Sequence, residues 1–185
     1  HDLRNPITVL KGSVRLLRQD ASDRRALDRL ESYTARIEQY VEAMSSIQRL
    51  EQLPVRAGRA SCAVLGQELE ETPRLLAPAL AVSVALPAAE DLRLDHGIFL
   101  TVAENLIGNA ARYARRSLQI GLAVQGDTLA LTVADDGPGF PAALLKDGPQ
   151  PFGKREADGA HFGMGLYSSA LLCVKHGGSL RLENA

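Results

Sequence analysis

Apolar residues recur at every third or fourth position along the first part of the chain. Near the start, five of them are separated alternately by four and three positions: Leu3, Ile7, Leu10, Val14 and Leu17. This spacing puts their side chains on one narrow stripe of a helix. The polar stretch 19–25 ends the pattern and offers residues that can cap a second helix, namely Asp20, Ser22 and Asp23.

A second helix is predicted from that stretch to about residue 52. Its apolar residues repeat the same spacing: Leu30, Tyr33, Ile37, Tyr40 or Val41, Met44 and Ile47. Two helices joined by a short turn form an antiparallel hairpin, which cannot bury one apolar stripe per helix by itself. Two copies can do so as a four-helix bundle. We therefore predict that residues 1–53 form a homodimer.

The pattern changes after the hairpin. Pro54 and Gly58 predict a linker over 54–61, followed by a second domain at 62–185. There we predict a helix in 62–79 that Pro73 interrupts or kinks, and a hairpin turning at Gly126-Asp127. Other predicted elements are strands at 80–86 and 90–95, helices at 96–114 and 165–176, a Gly/Pro-rich stretch at 136–163, and a strand beginning after residue 176.

These elements do not alternate regularly, which indicates the α+β class. We expect an α/β sandwich with a mixed, mostly antiparallel sheet and helices covering one face. The apolar fraction of 45% and the charged fraction of 23% are typical of a soluble globular protein. A net charge of −1 gives no electrostatic reason for a nucleic-acid partner. Cys62 and Cys173 lack metal-ligand spacing and are expected to be reduced thiols.

The stretch NLIGNAARY contains the first candidate chemistry. Asn105 and Asn109 are four positions apart on one helical face, and Arg112 and Tyr113 follow within the next turn. A single asparagine in an apolar helix is usually a satisfied amide or a cap. Two at this spacing, followed by a base and an aromatic residue, indicate one wall of a polar pocket.

Two glycine motifs follow. In DDGPGF, Asp135 lies beside Gly137 and Gly139, which would let a ligand approach the backbone closely, although a simple turn leaving a strand has the same composition. In HFGMGLYSSA, Gly163 and Gly165 precede a helix whose amide groups could meet phosphate oxygens. A Rossmann fingerprint is excluded, because no strand leads into a full GxGxxG.

Together, the order and spacing of these motifs resemble the ATP-binding domain of bacterial sensor histidine kinases, which has the GHKL-type fold. Between the two glycine motifs lies PFGK (151–154), the last predicted helix ends in HGG (176–178), and the opening HDLRNP resembles the phosphoacceptor box of that family. The resemblance covers essentially the whole chain. It implies ATP and Mg²⁺ as cofactors.

The resemblance also implies roles for single residues. Asp135 matches the carboxylate that binds the adenine amino group, and Asn109 matches the Mg²⁺ ligand, with Asn105 nearby. Arg112 and Tyr113 match positions at the phosphates and the base. The remaining nucleotide-binding positions are the lid glycines Gly137, Gly139, Gly163 and Gly165, the lid aromatic Phe152, and Leu166.

The residue at the position of the hydrolytic base separates kinase from hydrolase. Related gyrase and heat-shock ATPases carry a glutamate four residues before the Mg²⁺ asparagine, where it can activate water. Here that position is Asn105, and Glu104 points about 100° around the helix. Because an amide cannot act as a general base, hydrolysis by this route is disfavoured, and another phosphoryl acceptor is needed.

His1 is the candidate acceptor. On a helical projection His1 and Asn5 fall opposite the Leu3–Leu17 stripe, on the solvent side. An exposed imidazole is largely neutral and nucleophilic at neutral pH. Asp2 can orient the ring and accept its proton as the N–P bond forms, and Pro6 favours a local bend.

The resemblance implies further partners and activities. Phosphate would pass from His1 to an aspartate of a response-regulator receiver domain, and Asn5 would position water for the reverse dephosphorylation. We expect this part to lie in the cytoplasm, in a longer protein anchored upstream in the bacterial inner membrane. His161 occupies a usual glycine position, and we expect the final strand of the family to be truncated here. A catalytically weak, nucleotide-binding scaffold or regulator phosphatase therefore stays an alternative.

Overall fold

The computed structural model of the protein describes residues 4–20, 23–88, 91–150 and 164–184. The chain divides into two units, His1–Gln52 and Leu53–Ala185. No helix in the described ranges is long and apolar enough to span a membrane.

The first unit is a hairpin of two helices, α1 (Arg4–Gln19) and α2 (Arg24–Gln52), which pack against each other. Both predicted helices are confirmed. Asp23 caps α2, because its Oδ1 accepts a hydrogen bond from the Ala26 amide at 3.1 Å.

The face of α1 that is buried differs from the predicted stripe. Pro6 and Ser13 are buried, whereas Ile7 and Val14 are 42% and 41% exposed. The buried face therefore lies to one side of the predicted stripe. On α2, Tyr40 rather than Val41 is buried. Among the described residues of the hairpin, six apolar side chains remain more than two fifths exposed: Ile7, Val14, Leu16, Leu27, Val41 and Met44.

The second unit combines five strands with four helices within the described residues. In chain order they are β1 (Gly58–Ser61), α3 (Cys62–Leu76), β2 (Ala81–Ala85), β3 (Asp91–Leu94), α4 (His96–Tyr113), β4 (Ser117–Gln125), β5 (Thr128–Asp135), α5 (Ala142–Asp147) and α6 (Met164–Lys175). This order confirms an α+β architecture.

The strands form two small sheets. In the three-stranded sheet β2 pairs parallel to β4, and β4 pairs antiparallel to β5. The predicted hairpin turns at Gly126, whose φ of +58° favours glycine. In the other sheet β1 pairs antiparallel to β3. A shared core of buried side chains from α3, α4, β3 and β4 includes Leu65, Ile107 and Leu118, so α4 is held by residues on its apolar side.

Several local expectations differ from the structure. Residues 58–61, predicted as linker, form β1 because they pair with β3, whose residues lie 30 to 36 positions further along the chain. Helix α3 continues through Pro73, which lies three residues before its end; the missing N–H leaves only the Leu69 carbonyl without its intrahelical donor. Residues 177–184, where a strand was predicted to begin, form no strand. The short helix α5 lies inside the Gly/Pro-rich stretch.

Candidate nucleotide-binding site

Helix α4 carries the two asparagines, and Asp95 fixes the beginning of this helix. Its Oδ1 accepts a hydrogen bond from the Ile98 amide at 3.1 Å, and its Oδ2 accepts one from the Arg56 amide at 2.6 Å. The hydrogen bond from the Arg56 amide contributes most to lowering the pKa of Asp95, and the bond from the Ile98 amide adds to it. The Asp95 amide in turn donates to His176 Nε2 at 2.9 Å. The start of α4 is thereby tied to the end of α6.

Asn105 faces the first turn of α6. Its Nδ2 donates to Ser168 Oγ at 3.5 Å, and Ser168 Oγ donates to the Met164 carbonyl at 2.8 Å. A Cβ added to Gly165 would lie 3.4 Å from Asn105 Oδ1. The half-buried amide of Asn105 is therefore occupied by contacts that hold α4 and α6 together.

Asn109 lies one turn further along the same face and is also half-buried. Within the described parts of the chain its side-chain amide makes no hydrogen bond. Arg112 follows on this face with an exposed guanidinium group. The second half of α4 thus presents an amide oxygen and a cation, which suit Mg²⁺ and phosphate oxygens respectively.

The turn after β5, residues 135–140, passes directly over the carboxyl end of α4 and is called the Asp–Gly turn below. Asp135 is the last residue of β5 and is exposed, and its Oδ1 accepts a hydrogen bond from the Gly137 amide at 2.8 Å. A Cβ added to Gly137 would lie 2.5 Å from both this oxygen and the Tyr113 carbonyl oxygen. The turn can therefore approach α4 this closely only because residue 137 is glycine.

Asp136 binds the loop between α4 and β4. Its Oδ1 accepts hydrogen bonds from the amides of Arg115, Arg116 and Ser117 at 2.8, 3.0 and 3.2 Å. The Arg116 amide contributes most to lowering the pKa of Asp136 from 3.8 to about 2. The carboxylate therefore anchors the turn that carries Asp135.

The acid stability of the second unit should depend on Asp136. The folded-state pKa is below the ordinary value of 3.8, so the carboxylate stabilises the fold above that pH, and the contribution is lost as the pH falls towards about 2. Between pH 4 and 2, unfolding of the wild-type chain should bind more protons than unfolding of Asp136→Asn, with a difference of at most about one proton. Thermal unfolding across this range measures the difference, with Asp127→Asn as the control. Equal pH slopes in wild type and Asp136→Asn would contradict this role.

The described residues bring together two groups of the predicted site. Asn105 meets Gly165 between α4 and α6, and Tyr113 meets Gly137 beside Asp135. Leu166 is half-buried in the first turn of α6. Asn5 is exposed on α1, in the first unit. Four predicted site residues lie outside the described ranges: His1, Asp2, Phe152 and Gly163.

Three structural contributors were not predicted: Asp136, Ser168 and Asn184. Asp136 had a local signal, since it directly follows the motif aspartate, but its amide partners lie about twenty residues earlier. Asn184 contacts Phe140 and Gly139, and no local sequence pattern indicates this pairing.

Comparison with known protein families agrees with both units. The model for histidine kinase-, DNA gyrase B- and HSP90-like ATPases matches residues 95–185. The model for the His kinase A (phospho-acceptor) domain matches residues 1–53. The second unit therefore has the GHKL-type ATP-binding fold, the class that its helix and sheet arrangement defines.

Individual relatives narrow the class. The sensor histidine kinase CpxA of Escherichia coli is 25% identical over 197 aligned residues, covering 100% of this chain and 42% of CpxA. The sensor protein CseC of Streptomyces coelicolor is 31% identical over 166 residues, covering 90% of this chain and 31% of CseC. The chain thus spans less than half the length of either relative. The protein belongs to the sensor histidine kinase family and contains its catalytic core.

Solved structures support the fold. The Acinetobacter baumannii histidine kinase AdeS superimposes with a TM-score of 0.59 at 24% identity, covering 95% of this chain and 86% of AdeS. The mycobacterial sensor histidine kinase MprB gives a TM-score of 0.55 at 22% identity, covering 68% of this chain and 84% of MprB.

Proposed function

We propose that this chain is an ATP-dependent protein histidine autokinase that phosphorylates His1 and passes the phosphoryl group to an aspartate of a response regulator. The observation that carries the proposal is the pairing of Asn105 with Ser168. The position that holds the water-activating glutamate in related hydrolases is an amide engaged with α6. This arrangement favours transfer to a side chain over transfer to water.

The nucleotide would lie against α4, α6 and the Asp–Gly turn. Asp135 would accept a hydrogen bond from the adenine amino group. Asp135 is exposed at the end of β5, and its second carboxylate oxygen is left for this bond. Arg112 would contact the phosphates and Tyr113 the base side. The family's lid positions would complete the site: Gly137, Gly139, Phe152, Gly163, Gly165 and Leu166.

Asn109 is the proposed Mg²⁺ ligand. Its amide makes no hydrogen bond to the described residues, and Mg²⁺ accepts few protein oxygens while it remains bound to substrate phosphates. The ion would neutralise charge on those phosphates.

At His1, the neutral imidazole nitrogen would attack the γ-phosphorus of ATP. The N–P bond forms as the bond from that phosphorus to the leaving oxygen of ADP breaks, and Asp2 accepts the ring proton. Asn5, which is exposed on α1, would position the water that dephosphorylates the regulator.

The hairpin would act as a homodimer through residues 1–53. The support is the six exposed apolar side chains named above, which lie on both helices and remain exposed to solvent in the single chain. Light scattering should give the mass of two chains for the wild type and of one chain for Val14→Glu combined with Val41→Glu. Leu145→Glu, an exposed apolar position of α5, should leave the dimer intact. A wild-type monomer would exclude this arrangement.

Incubation with Mg²⁺ and γ-labelled ATP tests the kinase proposal. The wild-type chain should acquire acid-labile, base-stable label, as expected for phosphohistidine. Asn109→Ala should acquire label at least about 100-fold more slowly, because the metal ligand is lost. Gln119→Ala, which removes an exposed amide on β4, should match the wild type.

Two other outcomes would select different functions. ATP binding without any label would favour a nucleotide-binding scaffold or regulator phosphatase. Rapid release of free phosphate without label would favour a hydrolase of the same fold.

By the same family resemblance, the longer protein would be anchored in the bacterial inner membrane with this core in the cytoplasm.

A further inference from the structure

The side chain of Asn184 is bound to both backbone groups of Phe140. Asn184 Oδ1 accepts a hydrogen bond from the Phe140 amide at 2.7 Å, and Asn184 Nδ2 donates to the Phe140 carbonyl at 3.0 Å. A carboxamide has the same donor and acceptor as a peptide group, so it pairs with Phe140 as a residue of a neighbouring strand would. No strand forms over residues 177–184, and this one side chain takes over the pairing.

Gly139 allows the amide to approach. A Cβ added at this position would lie 2.8 Å from Asn184 Oδ1 and 2.9 Å from its Cγ. The φ of Gly139 is +74°, a conformation that other residues rarely adopt. The backbone of the turn and the Asn184 side chain are therefore fitted to each other.

The pair completes the anchoring of the Asp–Gly turn. Asp136 ties the beginning of the turn to the α4–β4 loop, and Gly137 lies against the Tyr113 carbonyl. The far end of the turn leads into α5, and among the described residues only Asn184 hydrogen-bonds to the backbone of Phe140. Without Asn184, the turn would be anchored at one end only.

We infer that Asn184 is a positioning residue for purine recognition, which acts through Phe140 and Gly139 on the turn that carries Asp135. The inference rests on the proposed function, in which Asp135 accepts a hydrogen bond from the adenine amino group. Asn184 itself need not touch the nucleotide. A turn fixed at both ends holds the Asp135 carboxylate in place before ATP arrives, so less order must be gained on binding.

Calorimetric titration with ATP and with inosine triphosphate tests this role. Inosine carries a carbonyl oxygen where adenine carries its amino group, so this position of the base can no longer donate a hydrogen bond to Asp135. The wild type should prefer ATP. In Asn184→Ala the affinity for ATP should fall about tenfold, as for the loss of one or two hydrogen bonds, whereas the affinity for inosine triphosphate should change less than about twofold. Glu183→Ala, an exposed neighbour, should behave as wild type.

Hydrogen exchange of the free protein provides the second measurement. The Phe140 amide should exchange faster in Asn184→Ala, while the melting temperature stays close to that of the wild type. An equal loss of affinity for both nucleotides would indicate a merely structural role and overturn the inference, as would an unchanged Phe140 exchange rate. A wild-type chain that binds neither nucleotide would overturn the proposed function and this inference with it. A wild-type preference for ATP that is undiminished in Asn184→Ala would overturn the inference alone.

Discussion

Replacing Gly137 by alanine should weaken ATP binding at least about 100-fold, because the added methyl group has no space. It would lie 2.5 Å from the Tyr113 carbonyl oxygen and from Asp135 Oδ1. The Tyr113 carbonyl belongs to the last turn of α4 and cannot rotate away as a flexible side chain could. The turn must therefore move off α4 and take Asp135 with it. A lost hydrogen bond to a charged carboxylate costs about 1.5–3 kcal/mol, and together with the other contacts of the displaced turn this gives a loss of affinity of this size.

Calorimetric titration with ATP measures this loss, and a control variant separates the local effect from general unfolding. Gly121→Ala is the matched control, because its Cβ would come no closer than 3.8 Å to Thr132 and the position lies within β4. Circular dichroism should show both variants folded, with only Gly137→Ala deficient in ATP binding. A Gly137→Ala chain that binds ATP as tightly as the wild type would mean that the nucleotide does not use this turn.

Elements governed by local periodicity could be predicted from the sequence. The long apolar pattern of 96–114 predicted α4 (His96–Tyr113) to within one residue, and the Gly126 turn predicted the β4–β5 hairpin. Elements governed by distant partners could not. β1 forms because Gly58–Ser61 pair with β3, and nothing within the stretch itself indicates a strand.

The site follows the same division. Asn105 and Asn109 share a helical face, which their spacing alone predicts. Among the described residues only one of the two amides makes a hydrogen bond, and its partner Ser168 lies more than sixty residues away on α6. The anchoring of the Asp–Gly turn by Asp136 and Asn184 likewise requires contacts across the fold. Family resemblance assigns chemistry to motif residues, but the residues that hold a motif in position are visible only in three dimensions.

His1→Ala should abolish the acid-labile label while ATP affinity stays within about twofold of the wild type. The two properties should separate because the proposed acceptor and the proposed nucleotide site belong to different units of the chain, His1–Gln52 and Leu53–Ala185. Asn5, four residues after His1 in the sequence, is exposed on α1 in the first unit.

The control must remove a histidine without removing the acceptor. His96→Ala serves, since His96 forms an exposed pair with Glu68 on the surface between α3 and α4, with Nε2 and Oε2 2.9 Å apart. His96→Ala should acquire label at the wild-type rate. Because phosphohistidine is acid-labile whereas phosphoserine is not, an acid-stable label would identify the wrong acceptor chemistry. Acid-labile label that persists in His1→Ala would assign the acceptor to another histidine, and the kinase proposal would then hold without His1.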